Sequence, residues 1–324
     1  MRRKAKKLVA MILAGMMMAS LAGCGAATVE GESNAAAPSQ PAETAAQEET
    51  QADTQTAKGG SIGFSVSTMN NPFFVTLVEG AQAKADEQGI ELIVVDAGDD
   101  AAKQASDIED LISKNIGVLI VNPVDSDAVA PSVQDAVDKS IGVIAVDRAV
   151  NGVTVDCSIA SDNVAGAKLA TEYLVELVGE GAKVAELEGV SGASATIDRG
   201  DGFHQVADEK LDVVSSQTAN FNRSEGMTVM ENMLQANPDI KGVFAHNDEM
   251  ALGAVEAAAD KDIVIIGFDA TDDALNAVKE GKMAATVAQK PELMGQTAVE
   301  CAQKILAGES VESIIPVEVA LIKE

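Results

Sequence analysis

From residue 60 onward the chain alternates short apolar runs with segments of helical period, and that alternation admits few folds. Runs of strand length fall near 61–67, 90–96, 117–122 and 141–147, with a weaker one near 153–159. A second series falls near 182–188, 212–218, 241–246, 263–268 and 283–288. Helical patterns fill the gaps, for example at 101–114, 163–178, 222–236 and 291–307. Strands separated in this way pair in parallel, with helices on both faces of the sheet. Ten strands in two series of five predict two similar α/β lobes. The polar break Ile159-Ala160-Ser161-Asp162-Asn163 reads as a crossing between them, capping the helix that follows. Ile314 to Ile322 reads as a final strand, at an edge or a crossing because of Pro316.

Upstream of residue 60 the pattern is absent. Arg2, Arg3, Lys4, Lys6 and Lys7 precede an apolar run from Leu8 to Ala22, short for a membrane span and suited to a signal peptide over residues 1–23. It ends in Leu21-Ala22-Gly23-Cys24, which resembles the bacterial lipoprotein box and implies lipidation at Cys24. Acyl chains would then tether the exported protein to the outer face of the cytoplasmic membrane. Residues 24–58 carry almost no large apolar side chain and read as a disordered acidic linker.

Losing the five basic residues of the leader would take the formal charge from −28 to −33. Phosphate binding needs a concentrated Lys/Arg face, and none appears, so a nucleic-acid partner is excluded. A neutral ligand is not. Of three cysteines, Cys157 and Cys301 read as small buried hydrophobes, and whether they bridge is not legible from spacing.

The chemistry gathers at strand ends. The first strand stops at Ser67-Thr68-Met69-Asn70-Asn71-Pro72-Phe73-Phe74, with Pro72 suited to the first turn of a helix. In a chain with seven Phe, one Tyr and no Trp, Phe73 and Phe74 thus stand at the carboxyl end of a strand. Open α/β sheets bind ligands at that edge. Asp147 and Arg148 follow the run ending at Val146, His246, Asn247 and Asp248 follow Ala245, Asp269 follows Phe268, and Gln289 follows Ala288. Phe221 and Arg199 come soon after the strands near 212–218 and 182–188.

Parallel strands would collect these side chains on facing edges, around a cleft lined by two Arg, two Asp, side-chain amides and three Phe. Carboxylates accept from hydroxyls, Arg donates in a fixed fork and amides do both, so the set can replace the hydration of a neutral polyol. The Phe rings offer flat apolar faces to the C–H side of a sugar ring. For any one of these residues a helix cap or an interlobe ion pair is an equally good reading; their coincidence at seven strand ends favours a ligand.

The stretches STMNNPFF (67–74), VNPVDSDAV (121–129), VDRAV (146–150), IASDNVAG (159–166), DRGDGF (198–203), FAHNDEMALGA (244–254), GFDAT (267–271) and TVAQKP (286–291) resemble the periplasmic pentose/hexose-binding proteins of the ribose-receptor type. The likeness runs nearly unbroken from residue 60 to 324. It implies two Rossmann-like lobes with parallel sheets joined by a three-segment hinge, with crossings near Ser161, Gln289 and Val317. The lobes would comprise 59–161 plus 290–318 and 162–289 plus 319–324. It implies a ring sandwiched by Phe73, Phe74 and Phe221, with hydroxyl partners Asn71, Asp147, Arg148, Arg199, Asn247, Asp269 and Gln289. The expected function is capture of a monosaccharide, ribose first, by hinge closure, and delivery by a monomer to an ABC permease. The expectation is of no enzyme, no cofactor and no metal. The chain departs from the family at His246, where Gln is usual, at Ala270, where Gly is usual, and in a slightly short connector between Ala254 and Ile263.

Other readings are weaker. A repressor's sugar-sensing core shares this fold but would lack an export signal. A receptor presenting a sugar or a furanosyl autoinducer to a membrane sensor kinase or chemoreceptor would have the same site. Gly189-Val190-Ser191-Gly192-Ala193 falls one glycine short of a nucleophile elbow. Asp96, Asp99 and Asp100 lack the spacing of a calcium loop.

Overall fold

The computed structural model of the protein describes residues 60–323. The leader, Cys24 and the acidic linker lie outside the described residues. Within them the chain forms β1 (Ile62–Val66), α1 (Pro72–Gln88), β2 (Leu92–Asp96), α2 (Ala101–Ser113), β3 (Val118–Val121), α3 (Ala130–Asp138), β4 (Gly142–Val146) and β5 (Cys157–Ser161). There follow α4 (Asn163–Val178), β6 (Lys183–Glu188), α5 (Ser194–Lys210), β7 (Asp212–Thr218), α6 (Arg223–Ala236), β8 (Gly242–Ala245), α7 (Asp248–Ala257), β9 (Val264–Asp269), α8 (Asp272–Lys279) and β10 (Ala285–Ala288). The last elements are α9 (Pro291–Leu306), β11 (Ile314–Val317) and β12 (Ala320–Lys323).

The strands form two six-stranded sheets, ordered β2-β1-β3-β4-β5-β11 and β7-β6-β8-β9-β10-β12. The first five strands of each series therefore repeat one doubly wound topology. In both, the order reverses between the first strand and its third, and that switch point is where such sheets open a crevice for ligand. Each sheet carries an apolar cluster on either face. Ile62, Phe64 and Val66 pack with Leu77 and Val299 on one side of the first sheet, and Leu119, Val121 and Val143 with Ile108 on the other.

Three passages join the lobes. The chain leaves the first sheet after β5, returns after β10, and leaves again between β11 and β12. The returning helix α9 is locked to α1 by close backbone approach. A Cβ on Gly80 would stand 2.4 Å from Glu292 O, and one on Gly295 2.0 Å from Leu77 O. The same helix pair therefore fixes Phe73 and Phe74, in the first turn of α1, against the passage that carries Gln289.

Two expectations need correction. The run from Ile314 to Ile322 is two strands in different sheets, and β12 pairs antiparallel with β10, from Ala285↔Lys323 to Ala288↔Ala320. The reason is topological: β12 arrives directly from the other lobe without a crossover helix, so it runs against its neighbour. β11 lies at the edge of the first sheet, where Pro316 is tolerated. The weak strand expected at 153–159 lies at Cys157–Ser161, because the Asp156 carboxylate accepts from the Val143 N–H at 2.8 Å and starts the ladder late. Cys157 and Cys301 are buried free thiols, and burial pushes the Cys157 thiol up to about 12, leaving it inert at ordinary pH.

Candidate functional site

All ten residues singled out from the sequence line one space between the carboxyl edges of the two sheets. Ala195, in the first turn of α5, completes the lining. The first lobe contributes Asn71, Phe73, Phe74, Asp147 and Arg148, and the second Arg199, Phe221, Asn247 and Asp269, with Gln289 on the passage between them. Arg199 does not stand at a strand end; it projects from the second turn of α5.

Backbone strain clusters here. Asp147 (φ 66°), Asn220 (φ 53°), Phe221 (φ 58°), Asp269 (φ 131°) and Ala270 (φ 58°) all adopt positive φ without being glycine. Each such conformation costs about 1–2 kcal/mol, and such costs concentrate at ligand sites. The turns aim Asp147, Phe221 and Asp269 inward where an extended strand would carry them past the cavity. Ala270 explains one departure from the family pattern, since glycine would adopt its φ without strain.

The aromatic walls are set by packing. Phe73 and Phe74 meet edge to face, with centroids 5.2 Å apart and planes at 87°. The Arg148 guanidinium carbon stands 5.1 Å from the centroid of Phe74 and 5.2 Å from that of Phe221, so one cation touches aromatic faces of both lobes.

Hydrogen bonds within the protein decide what each polar group can still offer. Asn71 Oδ1 accepts from the Phe73 N–H (3.0 Å) and Asn247 Oδ1 from the Met250 N–H (3.0 Å), each capping a helix. The Asn71 and Asn247 amide N–H groups are therefore what these side chains can turn to a ligand, although Asn247 Nδ2 also donates to Phe221 O at 3.3 Å. Gln289 Nε2 donates to Asp269 Oδ1 at 2.7 Å, while its buried Oε1 has no partner. Arg148 Nη1 donates to Pro123 O at 2.8 Å, while its buried Nε has none and lies 3.7 Å from Asp147 Oδ2. An orphan donor and an orphan acceptor inside one cavity are the mark of a polar ligand.

Burial also shapes the charges. It raises Asp147 and Asp269 above the usual carboxylate range, Asp269 well above, against the pull of Arg148 and Arg199. It lowers both guanidinium groups, which remain cationic at any accessible pH. Two buried carboxylates short of donors are prepared to accept hydroxyls.

Several supporting residues were not singled out from the sequence. Asn122 is a brace: its Nδ2 donates to Asp147 Oδ2 (3.2 Å) and Val146 O (3.1 Å). Asn163 Oδ1 accepts from Arg199 Nε at 2.9 Å, and His246 O from Arg199 Nη1 at 2.5 Å. Asp248, pushed up to about 6 by burial, accepts from the Thr286 hydroxyl and the Thr271 N–H. Glu186, fully buried in β6, lies 2.9 Å from His246 Nε2 and 3.2 Å from His204 Nε2. A carboxylate in the middle of the apolar run Val184 to Leu187 was the signal that would have found it.

Comparison with known proteins places this geometry. A family model described as a periplasmic binding protein domain matches residues 62–310. The chain belongs to that family. The ribose import binding protein of Bacillus subtilis is 52% identical over 256 residues, 78% of this chain and 84% of the relative. Among solved structures, an ABC transporter solute-binding protein from Bacillus halodurans with bound myo-inositol superposes with a TM-score of 0.76 at 36% identity, over 81% of this chain and 95% of that one. Another, from Actinobacillus succinogenes with bound D-allose, gives a TM-score of 0.76 at 30% identity, over 81% and 97%. Members of this periplasmic binding protein family are substrate-binding transport proteins, and two α/β lobes with mostly parallel sheets are their architecture.

Proposed function

We propose that the protein is an extracytoplasmic receptor that captures a monosaccharide, D-ribose first, and delivers it to an ABC importer. The observation that carries the reading is the cavity itself. Two acidic and two basic side chains, three amides and three Phe from both lobes ring one space, and together they match the donors, acceptors and flat apolar faces of a small sugar ring. Relatives named for ribose import and for bound polyols point the same way.

The sugar ring lies between Phe73 and Phe74 on one side and Phe221 on the other. Its hydroxyls donate to Asp147, Asp269 and Gln289 Oε1, and accept from Arg148, Arg199 and the two Asn amides. The lobes, 59–161 with 290–318 and 162–289 with 319–324, close about the three passages, and closure expels water from the site. No bond is made or broken. The leader and Cys24 would place the receptor outside the cytoplasmic membrane on a lipid tether, with the acidic linker as spacer. No helix among the described residues is long and apolar enough to cross a membrane.

A thermal-shift panel of ribose, allose, xylose, arabinose, galactose and glucose tests the reading. Ribose at about a thousand times its dissociation constant adds roughly 4 kcal/mol of stability, and the other sugars add less. A melt indifferent to every sugar overturns it.

A further inference from the structure

Three hydrogen bonds join the lobes through residues that do not line the cavity. The Ser126 N–H donates to Gly192 O at 2.9 Å, the Ser194 N–H to Ser126 Oγ at 3.2 Å, and the Ala149 N–H to Ser194 Oγ at 2.9 Å. Ser126 and Ala149 follow β3 and β4 of the first sheet, whereas Gly192 and Ser194 form the turn into α5 of the second lobe. The first lobe's half is stiffened in place. Ser126 O accepts from the Asn151 N–H at 2.9 Å, and Asp125 Oδ1 accepts from the N–H groups of Asp127 (2.9 Å) and Ala128 (2.8 Å).

Gly192 is not among the residues with positive φ, so its backbone does not require glycine. Its neighbour does. A Cβ there would stand 1.8 Å from Asp125 Oδ2, and that carboxylate cannot turn aside without giving up the two N–H groups it holds. The constraint exists only while the lobes are together.

We infer that Ser126, Ser194 and Gly192 form a clasp that sets sugar affinity by favouring the closed form, without touching the sugar. The inference rests on the hinge-closure reading above. Apparent affinity is the intrinsic affinity scaled by the population of the competent form, and the clasp enters only through that population. Loosening it therefore weakens every sugar by the same factor, and the loss falls on dissociation. A residue that contacts the ligand would change the ratio between sugars.

The test measures Kd and dissociation rate for D-ribose and D-allose on the full chain, in wild type, Ser126→Ala/Ser194→Ala, Gly192→Ala, Asp125→Ala and Gly192→Ala/Asp125→Ala. Breaking the clasp is expected to weaken both sugars about tenfold through faster release, with their ratio preserved. Gly192→Ala is expected to do the same in the wild-type background and nothing once Asp125 is Ala. Unchanged affinities, a shifted ratio, or an equal Gly192→Ala effect in both backgrounds overturns the clasp. If the double serine variant fails to fold, the Gly192 and Asp125 cycle carries the test alone. If wild type binds neither sugar, small-angle scattering decides separately: unliganded Gly192→Ala more open than wild type supports the clasp, and identical profiles refute it.

Discussion

The two arginines of the cavity look alike from the ligand's side and are held in opposite ways. Arg199 is anchored wholly by its own lobe: Nε donates to Asn163, Nη1 to His246 O, the guanidinium carbon stands 3.9 Å over the Phe268 ring, and Asp269 lies 3.9 Å away. Arg148 has one short bond to Pro123 O, an unpartnered Nε, and ring contacts to Phe74 of its own lobe and Phe221 of the other. One cation is held by its own lobe alone; the other leans on both. The second lobe thus presents its arginine ready-made, whereas the surroundings of the first lobe's arginine depend on how the lobes are apposed.

This asymmetry separates ligand binding from folding more sharply than the sequence did. From sequence, Arg199→Ala is expected to abolish most of the stability that a bound sugar adds and to leave the unliganded melt nearly unchanged. The packing revises that. Arg199→Ala and Arg148→Ala each weaken ribose binding by about a hundredfold or more, as loss of a charged, buried hydrogen-bond donor does. Arg199→Ala, which removes two hydrogen bonds within its lobe and the counter-charge of Asp269, lowers the unliganded stability by about 3 kcal/mol in a denaturant titration, more than Arg148→Ala, which removes one such bond and the counter-charge of Asp147. Equal stability losses in the two variants would erase the distinction.

Acidity sharpens the comparison next. Sugar hydroxyls donate to the ionised forms of Asp147 and Asp269, whose protonation burial has made easier. Binding therefore favours the carboxylates, and affinity falls as pH drops into the raised range, by up to about tenfold per unit and per group. Calorimetry between pH 7 and pH 5 should show proton release on binding, and Asp147→Asn should flatten the first lobe's share. A pH-independent Kd would mean that neither carboxylate meets the ligand.

A smaller effect tests the anchorage of Arg199. Burial lowers the pKa of His246 despite Glu186 beside it, and Glu188, Glu186 and Arg199 are the charges that act on its ring. A lowered imidazole binds its proton more readily unfolded, so that stability is present above the ordinary value near 6.5 and is lost as pH falls from there through the folded value. Glu186, lowered by its bonds to His246 although burial opposes them, acts in the same direction at lower pH. His204 is raised, principally by Asp208 and Glu186 against burial; its contribution is full below about 6.5 and is lost as pH rises through its folded value. His246→Gln should flatten the loss of stability that sets in below about pH 6.5 and leave the slope above it, while an unchanged acid slope would clear His246 of the role.

The smallest effect belongs to Ala270. Replacing it by Gly relieves a φ of 58° and should raise stability by about 0.5–1 kcal/mol, net of the greater freedom of the unfolded chain. A loss would show that the turn at Asp269 does not carry strain.

How much was legible follows from what kind of signal each residue leaves. Strand ends punctuated by Asp-Arg, Asn-Asp or Pro-Phe-Phe are local events, and most residues picked on that ground line the cavity, whereas His246 and Asp248, which flank Asn247, do not. Asn122 and Asn163 brace Asp147 and Arg199 from 25 and 36 positions away, and a lone Asn after a strand or at a cap carries no trace of such a partner. The strained backbone at Asp147 and Asp269 was equally invisible, since Asp tolerates many conformations. The antiparallel β12 escaped because periodicity locates a strand without giving its direction. The serine clasp lies in turns whose residues look like ordinary loop composition, and only the apposed lobes reveal it.

The most direct test of the whole account is a crystal structure of the protein grown with D-ribose. The account predicts one ring lying flat between Phe73 and Phe74 on one side and Phe221 on the other, with hydroxyls on Asp147 and Asp269 and a donor from each arginine. A sugar bound outside that space, or a closed cleft from which it is absent at saturating concentration, would contradict it.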